Sequence, residues 1–405
     1  MISDRKIFVF LSLLLFISGL FDYHTFINRM EYIFYGLILL VAAIHICNNK
    51  FRTPKGYLKW LIIFVAVCGI ATMTSPYVMG ISPFFIGLSA TFIPFIYFII
   101  SYNYRFADKE IFQYINQIIT IVAIMNIISL IETFVLHSAR LIVGFVGSSI
   151  FWFQYLASIN NQVIILCIAI YKYTKKSKYL YLILLFLVYS ILSIQLKTYV
   201  GLVIILIGYA VIYNKRNAIW RLCRVGILLA VAFVALMQIP QISRKVEHYN
   251  DIYAVNTDGV ARTELYNAAF NMANDYFPFG TGQGTFGSIP ANMYDSRVYY
   301  DYDLEYVWGL SKFDDVNFRM DTHWSSIIGE NGFLGTLLYV MIYLFPLVLI
   351  QKYRRSYKEY YFIITMCYIV TTIESITLNL VARVSFIVIY SGLSAIMIRR
   401  ISQKI

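Results

Sequence analysis

Long apolar runs alternate with short polar breaks along the chain until Pro240, where about eighty mostly polar residues interrupt the pattern as far as Thr322. A helix needs roughly 20 apolar residues to cross the hydrocarbon core of a bilayer, and fewer where it tilts little or its ends snorkel. On that measure the runs predict twelve spans, near 6–21, 32–47, 57–74, 81–101, 111–133, 153–171, 179–195, 198–213, 222–239, 323–350, 360–378 and 382–398. The expected organisation is nine spans over 1–239, a large loop over 240–322 and three further spans over 323–405. Within the loop, apolar positions at 265, 269, 270 and 272 have the spacing of a helix from Thr263 to Asn274. The predicted fold class is therefore an all-α polytopic membrane protein with one large, partly helical outer loop. No short charged-apolar-small segment ends in a cleavage site, so the first run is read as a retained span.

Composition agrees with this class. Hydrophobic residues make up 60% of the chain and charged residues 13%, against roughly 45–50% and 25% in soluble domains. Charge fixes the expected orientation, because cationic loops resist translocation. Of the 33 Lys and Arg residues, 23 fall in alternate short loops, from Arg5 and Lys6 through Lys352, Arg354 and Arg355 to Arg399, Arg400 and Lys404. Both termini are expected on the cytoplasmic side and the 240–322 loop outside. That loop holds twelve carboxylates and six cations, a net −6 in a chain of net +12, which leaves +18 for the remainder. The basic balance is thus a product of topology, and nucleic acid is not expected as a partner. Cys47, Cys68, Cys167, Cys223 and Cys367 all lie in or beside apolar runs, which supports neither a disulfide framework nor a metal cluster. Most of the 35 tyrosines suit the membrane interface, while Tyr294, Tyr299, Tyr300, Tyr302 and Tyr306 in the loop are also placed to stack on sugar rings.

Outer cations escape the topological explanation. Lys197 lies in a tight turn between two apolar spans, Arg383 near the outer start of the last span, and Arg140 in the outer loop after span five. Such groups are costly near hydrocarbon unless paired or hydrated, so each is a functional candidate, with snorkelling to lipid phosphate as the structural alternative. Arg262 precedes the loop helix. Beyond it Pro278-Phe279-Gly280-Thr281-Gly282-Gln283-Gly284-Thr285-Phe286-Gly287 suits a tight turn whose backbone N–H groups can approach an oxyanion, or a turn with no ligand. It lacks the ending of a Walker loop and no strand precedes it. His323 follows Asp321 and Thr322, either of which can cap a helix. The imidazole is then expected at a helix mouth that favours anions. Its ordinary pKa near 6.5 would let the neutral ring take a proton from a hydroxyl; an interfacial histidine bonded to the loop is the alternative reading. Glu330 is expected two turns on, about 10 Å away on the same face, pairing with His323 or a nearby cation. Gly329, Gly332 and Gly335 leave one flank slim enough for a close neighbour.

Taken together, Arg262 with its helix, the 278–284 turn, and His323 followed by Glu330-Asn331-Gly332-Phe333-Leu334-Gly335 resemble the O-antigen polymerase and O-antigen ligase superfamily. The resemblance covers about 195–390. It implies a GT-C-like membrane glycosyltransferase that takes glycan from undecaprenyl pyrophosphate at an outward-facing site, with no metal and no other cofactor. It also implies that Arg262, Lys197, Arg383 and Arg140 hold the pyrophosphate, that His323 is catalytic and that Glu330 supports it. The family commonly has Arg where this chain has Lys197, which keeps the charge and loses the bidentate fork. The implied setting is the bacterial inner membrane, in polysaccharide biosynthesis of the lipopolysaccharide or capsule type. Partners would be lipid-linked glycans, membrane lipids, a chain-length regulator and a flippase. A polymerase that joins repeat units is preferred to the ligase that moves finished polymer to lipid A-core. From other classes, the chain could be a lipid-linked oligosaccharide flippase or transporter, although no related halves are apparent, or a metal-dependent transferase with Asp22 as its acid.

Overall fold

A computed structural model describes residues 4–21, 30–136, 155–193, 195–213 and 261–403. Helices occupy eleven of the twelve predicted span positions, and the ninth, 222–239, lies outside the described residues. In chain order they are α1 (Asp4–Ser18), α2 (Glu31–Asn48), α3 (Tyr57–Thr74), α4 (Ile81–Asn103), α5 (Asp108–Leu136), α6 (Leu156–Thr174), α7 (Lys178–Leu192) and α8 (Leu196–Tyr213). The loop contributes α9 (Ala261–Asp275), α10 (Ile289–Met293) and α11 (Val298–Asp301), before α12 (His323–Gln351), α13 (Lys358–Glu374) and α14 (Val384–Ile401). No strand occurs among the described residues. Eight of these helices are long and apolar enough to cross a bilayer, which makes the chain a multi-pass helical membrane protein.

Two cores divide the work. The larger lies among the spans and includes a run of rings in which Tyr339 stacks on Tyr343 at 9° between planes, while Tyr343, Tyr368 and Tyr390 meet one another at 5.1–5.7 Å. The smaller sits within the loop region, where Leu265, Ala269 and Met272 of α9 meet Phe286, Val298, Tyr299, Leu304 and Leu310. Three of the four apolar positions that predicted this helix thus mark the face it buries, while Phe270 is exposed.

One buried cation organises the loop region. Arg319 is 1% exposed; its guanidinium lies 4.2 Å from the centre of the Tyr299 ring, bonds Asp295 at 2.9 Å and donates to the Leu310 carbonyl at 2.7 Å. Burial tends to raise the Asp295 pKa, but the Tyr300 hydroxyl, Arg319 and Lys312 outweigh it and hold the carboxyl below its ordinary value. Because the folded pKa is depressed, the contribution of Asp295 is present above about pH 4, the unfolded value, and is lost as pH falls through the folded one. Asp295→Asn is therefore expected to destabilise the loop region at neutral pH and to cost progressively less on acidification, as read by proteolysis of 261–322. A pH-independent cost would sink the assignment. The five loop tyrosines separate: Tyr299 is buried, the Tyr300 and Tyr302 hydroxyls are bonded to Asp295 and Asp275, and Tyr294 and Tyr306 are exposed.

Candidate functional site

Gly332 determines where the imidazole sits. A straight helix would carry His323 about 24 Å from Tyr339, sixteen residues on. Instead the His323 Nε2 lies 2.9 Å from the Tyr339 hydroxyl. The chain folds back at Gly332, whose φ of 60° and ψ of −166° belong to a region open essentially to glycine alone. A Cβ there would also lie 2.5 Å from the Gly280 nitrogen and the Pro278 carbonyl oxygen. The predicted span 323–350 is thus two arms, 323–331 and 333–351, packed against each other. Thr336 donates to the Ile327 carbonyl at 3.2 Å, and Trp324 meets Tyr339 and Tyr343 at 6.1 and 5.9 Å. His323 is the first residue of its helix, as expected, but the fold-back sets it level with Tyr339, about 10 Å along the second arm from the bend.

Its surroundings are polar and complete. His323 is 4% exposed. Its Nδ1 lies 2.9 Å from the Asn379 Oδ1, which can only accept, so the proton is on Nδ1 and Nε2 takes the Tyr339 hydroxyl proton. The backbone N–H of His323 donates to the Ser375 carbonyl and the Trp324 indole to the Thr372 carbonyl. Thr322 stands at the N-cap without a capping side-chain bond; its hydroxyl pairs with Ser325.

Of the neighbouring cations, Arg262 is held by a carboxylate and Lys197 faces two. Arg262, just inside α9, donates from Nη2 to the Asp321 carboxylate at 2.8 Å and leaves a buried Nε without a partner. The ammonium of Lys197 faces the charges of Glu374, Arg262 and Asp321. Glu374 is fully buried at the end of α13. It accepts from the Asn161 amide at 2.6 Å, and the same amide nitrogen reaches the Thr198 carbonyl at 3.0 Å. Asn161 Oδ1, Thr198 Oγ1 and Ser375 Oγ, all buried around this pair, have no hydrogen-bond partner. Lys197 and Arg262 are thus brought together two residues from His323. Arg383 is on another flank, with its Nη2 on the Tyr155 hydroxyl at 2.9 Å, its guanidinium over that ring and Glu31 as its facing charge. Its turn contributes the Asn379 that holds His323. Arg140 and Asp22 lie outside the described residues.

Glu330 stands two turns along the same arm as His323, as expected, but its partners differ from those expected. It pairs with neither His323 nor a cation. Its carboxylate is enclosed by the glycine-rich turn, accepting from the Phe286 N–H at 3.0 Å and facing the backbone of Gly284 and Thr285 and the Ser288 side chain. The turn does form a concavity lined by N–H groups, with positive φ at Gly280, Gly282, Gly284 and Gly287, but the carboxyl group it encloses is the chain's own Glu330. Its remaining donors are also engaged: Thr281 and Gly282 N–H on the Gly329 and Glu330 carbonyls, and Gln283 N–H on Thr72. Gln283 further bonds Asn331 and Thr91, which ties the turn to α3, α4 and the bend. Glu330→Gln is expected to lower stability by about 1–3 kcal/mol, the cost of leaving buried donors poorly matched. Thermal unfolding in detergent would measure it, and no change in midpoint would refute the enclosure.

The site-bearing half is thus that of a helical membrane protein with a sunken imidazole beside the Arg262–Asp321 pair and Lys197. Residues 180–340 match a family model described as O-antigen ligase. The match supports the O-antigen polymerase and ligase superfamily, and with it an O-antigen ligase or polymerase type of function. A search of the curated proteins gives no match.

Proposed function

We propose that the chain is a polysaccharide polymerase that transfers glycan from an undecaprenyl-pyrophosphate carrier to a lipid-linked repeat unit. The observation that carries the reading is the fold-back at Gly332, which sets His323 against the turn bearing Asn379 and two residues from the Arg262–Asp321 pair that faces Lys197. In the proposed step an acceptor sugar hydroxyl attacks C1 of the donor, the C1–phosphate oxygen bond breaks and pyrophosphate leaves with the electron pair. Direct displacement inverts C1. The hydroxyl proton passes to the His323 Nε2, where the acceptor oxygen takes the position now held by the Tyr339 hydroxyl. Asn379 keeps the ring in the tautomer that has its lone pair there.

The leaving group needs little protonation, so fixed cations must chiefly neutralise its charge. Arg262 spends one nitrogen on Asp321 and keeps donors for phosphate oxygens. Lys197, with Glu374 behind it, supplies a point charge. Arg383, on another flank, acts through its turn, which carries Asn379, and Glu330 acts by holding the glycine-rich turn.

The description of the matching family favours a second reading, an O-antigen ligase acting on lipid A-core. A deletion strain separates the two. Single repeats on lipid A-core are expected for a polymerase and free lipid-linked polymer for a ligase. Purified protein supplied with lipid-linked glycan, no energy source and a chelator should lengthen the product; strict dependence on an added ion or nucleotide would overturn the proposal.

A further inference from the structure

The end of the bundle opposite this site holds a second concentration of charge. Arg399, in the last turn of α14, is only 6% exposed, with its guanidinium 5.4 Å from the centre of the Tyr102 ring. Its Nε and Nη2 are buried and make no hydrogen bond. The charged groups facing it, apart from the Tyr102 hydroxyl, are two further cations, Arg52 and Arg105. The first is placed by its backbone N–H, which donates to Asn103 at 2.8 Å; the second follows the end of α4, and its carbonyl accepts from Arg5 at 2.9 Å. Nearby carboxylates already have partners. Glu110 takes Arg5 and the Ala107 N–H, Asp108 takes Arg400 and the Tyr360 hydroxyl, and Asp4 takes His45. Among the described residues, none of Arg52, Arg105 and Arg399 forms an ion pair.

Topology accounts for cations in these loops. It does not account for one of them being buried with idle donors while facing two like charges. Like charges repel, and a buried charged donor without a partner is costly. A bound anion removes both penalties, and a planar guanidinium flanked by two more matches the oxygens of a phosphate. We propose that Arg52, Arg105 and Arg399 form a phosphate-binding site at the end of the bundle remote from His323, clamping the ends of α4 and α14 to the segment between α2 and α3. The ligand is a phosphate group, carried either by an anionic phospholipid of the adjacent leaflet or by a soluble phosphate compound.

Native mass spectrometry of the full chain tests this. After exposure to phosphatidylglycerol micelles and mild activation, the wild type is expected to retain phospholipid, with occupancy at least tenfold lower in the exposed double variant Arg52→Gln/Arg105→Gln and in Arg399→Gln. In a parallel arm the delipidated protein is titrated with inorganic phosphate and pyrophosphate. Variant-sensitive binding in the first arm assigns a lipid source, and in the second alone a soluble one. Equal occupancy in the wild type and the double variant, in both arms, would overturn the proposal. The double variant alters exposed side chains only, so its fold is expected to survive even if Arg399→Gln does not.

Discussion

His323→Ala is expected to lower glycan transfer about 10²–10⁴-fold, the range contributed by a positioned general base, while the protein still accumulates in the membrane. The imidazole makes its two bonds through side chains that remain when it is removed, so the loss should lie in turnover and not in donor retention. Tyr339→Phe supplies the control. It empties Nε2 of its present partner without touching the ring or its bond to Asn379, and is expected to cost far less than the alanine variant. The measurement is lengthening of lipid-linked glycan by purified protein. Near wild-type rates in His323→Ala would remove the imidazole from the chemistry, and equal losses in the two variants would move the role to the hydroxyl.

The second large effect is expected at Gly332, which touches no proposed substrate position. Alanine there must leave the region where φ is 60° and ψ is −166°, at a cost of order 1–3 kcal/mol for the backbone alone. Its methyl would also press on the backbone of Gly280, Phe279 and Pro278. Because the two arms are held at this bend, the expected outcome is loss of the His323–Tyr339 contact. Activity should fall as far as in His323→Ala, with a lower unfolding temperature in detergent. An active, fully stable Gly332→Ala would show that the bend is not required. Gly329→Ala offers a milder comparison, since the atoms nearest its Cβ are side-chain atoms of Phe286 and Met272 and its backbone conformation suits any residue.

How much of this was legible follows from the physics of each signal. Hydrophobic run length marked the helices well, because a bilayer imposes one thickness on every span. The bend in 323–351 was hidden for the same reason. Both arms are apolar, and nothing in composition distinguishes a straight helix from one folded on itself at a glycine. Lys197 was found because a cation in that turn stands out against the orientation rule and Arg262 through the family resemblance, and their juxtaposition is seen in the charges around Lys197. Their carboxylate partners were missed, although one signal was present: Glu374 is a carboxylate within the predicted span 360–378, where an ionisable group is itself a reason for suspicion. Asn161 had a similar mark, as the middle of three consecutive amides, Asn160 to Gln162, inside a predicted span. Tyr339 and Asn379 carried no mark, since their importance arises only from the position of His323. The two turns of helix between His323 and Glu330 are present, but the partner of Glu330 was not foreseen, because enclosure by a distant turn is a tertiary contact that spacing alone does not reveal.

The nine residues from His323 to Asn331 act as a ruler read downward from the bend. Each residue advances the imidazole by about 1.5 Å and turns it by about 100°. One residue more or fewer would aim the ring at a different neighbour, even with every side chain unchanged. Length and chemistry are therefore locked together in this short arm. A one-residue insertion or deletion between His323 and Gly332 is therefore expected to misplace the ring.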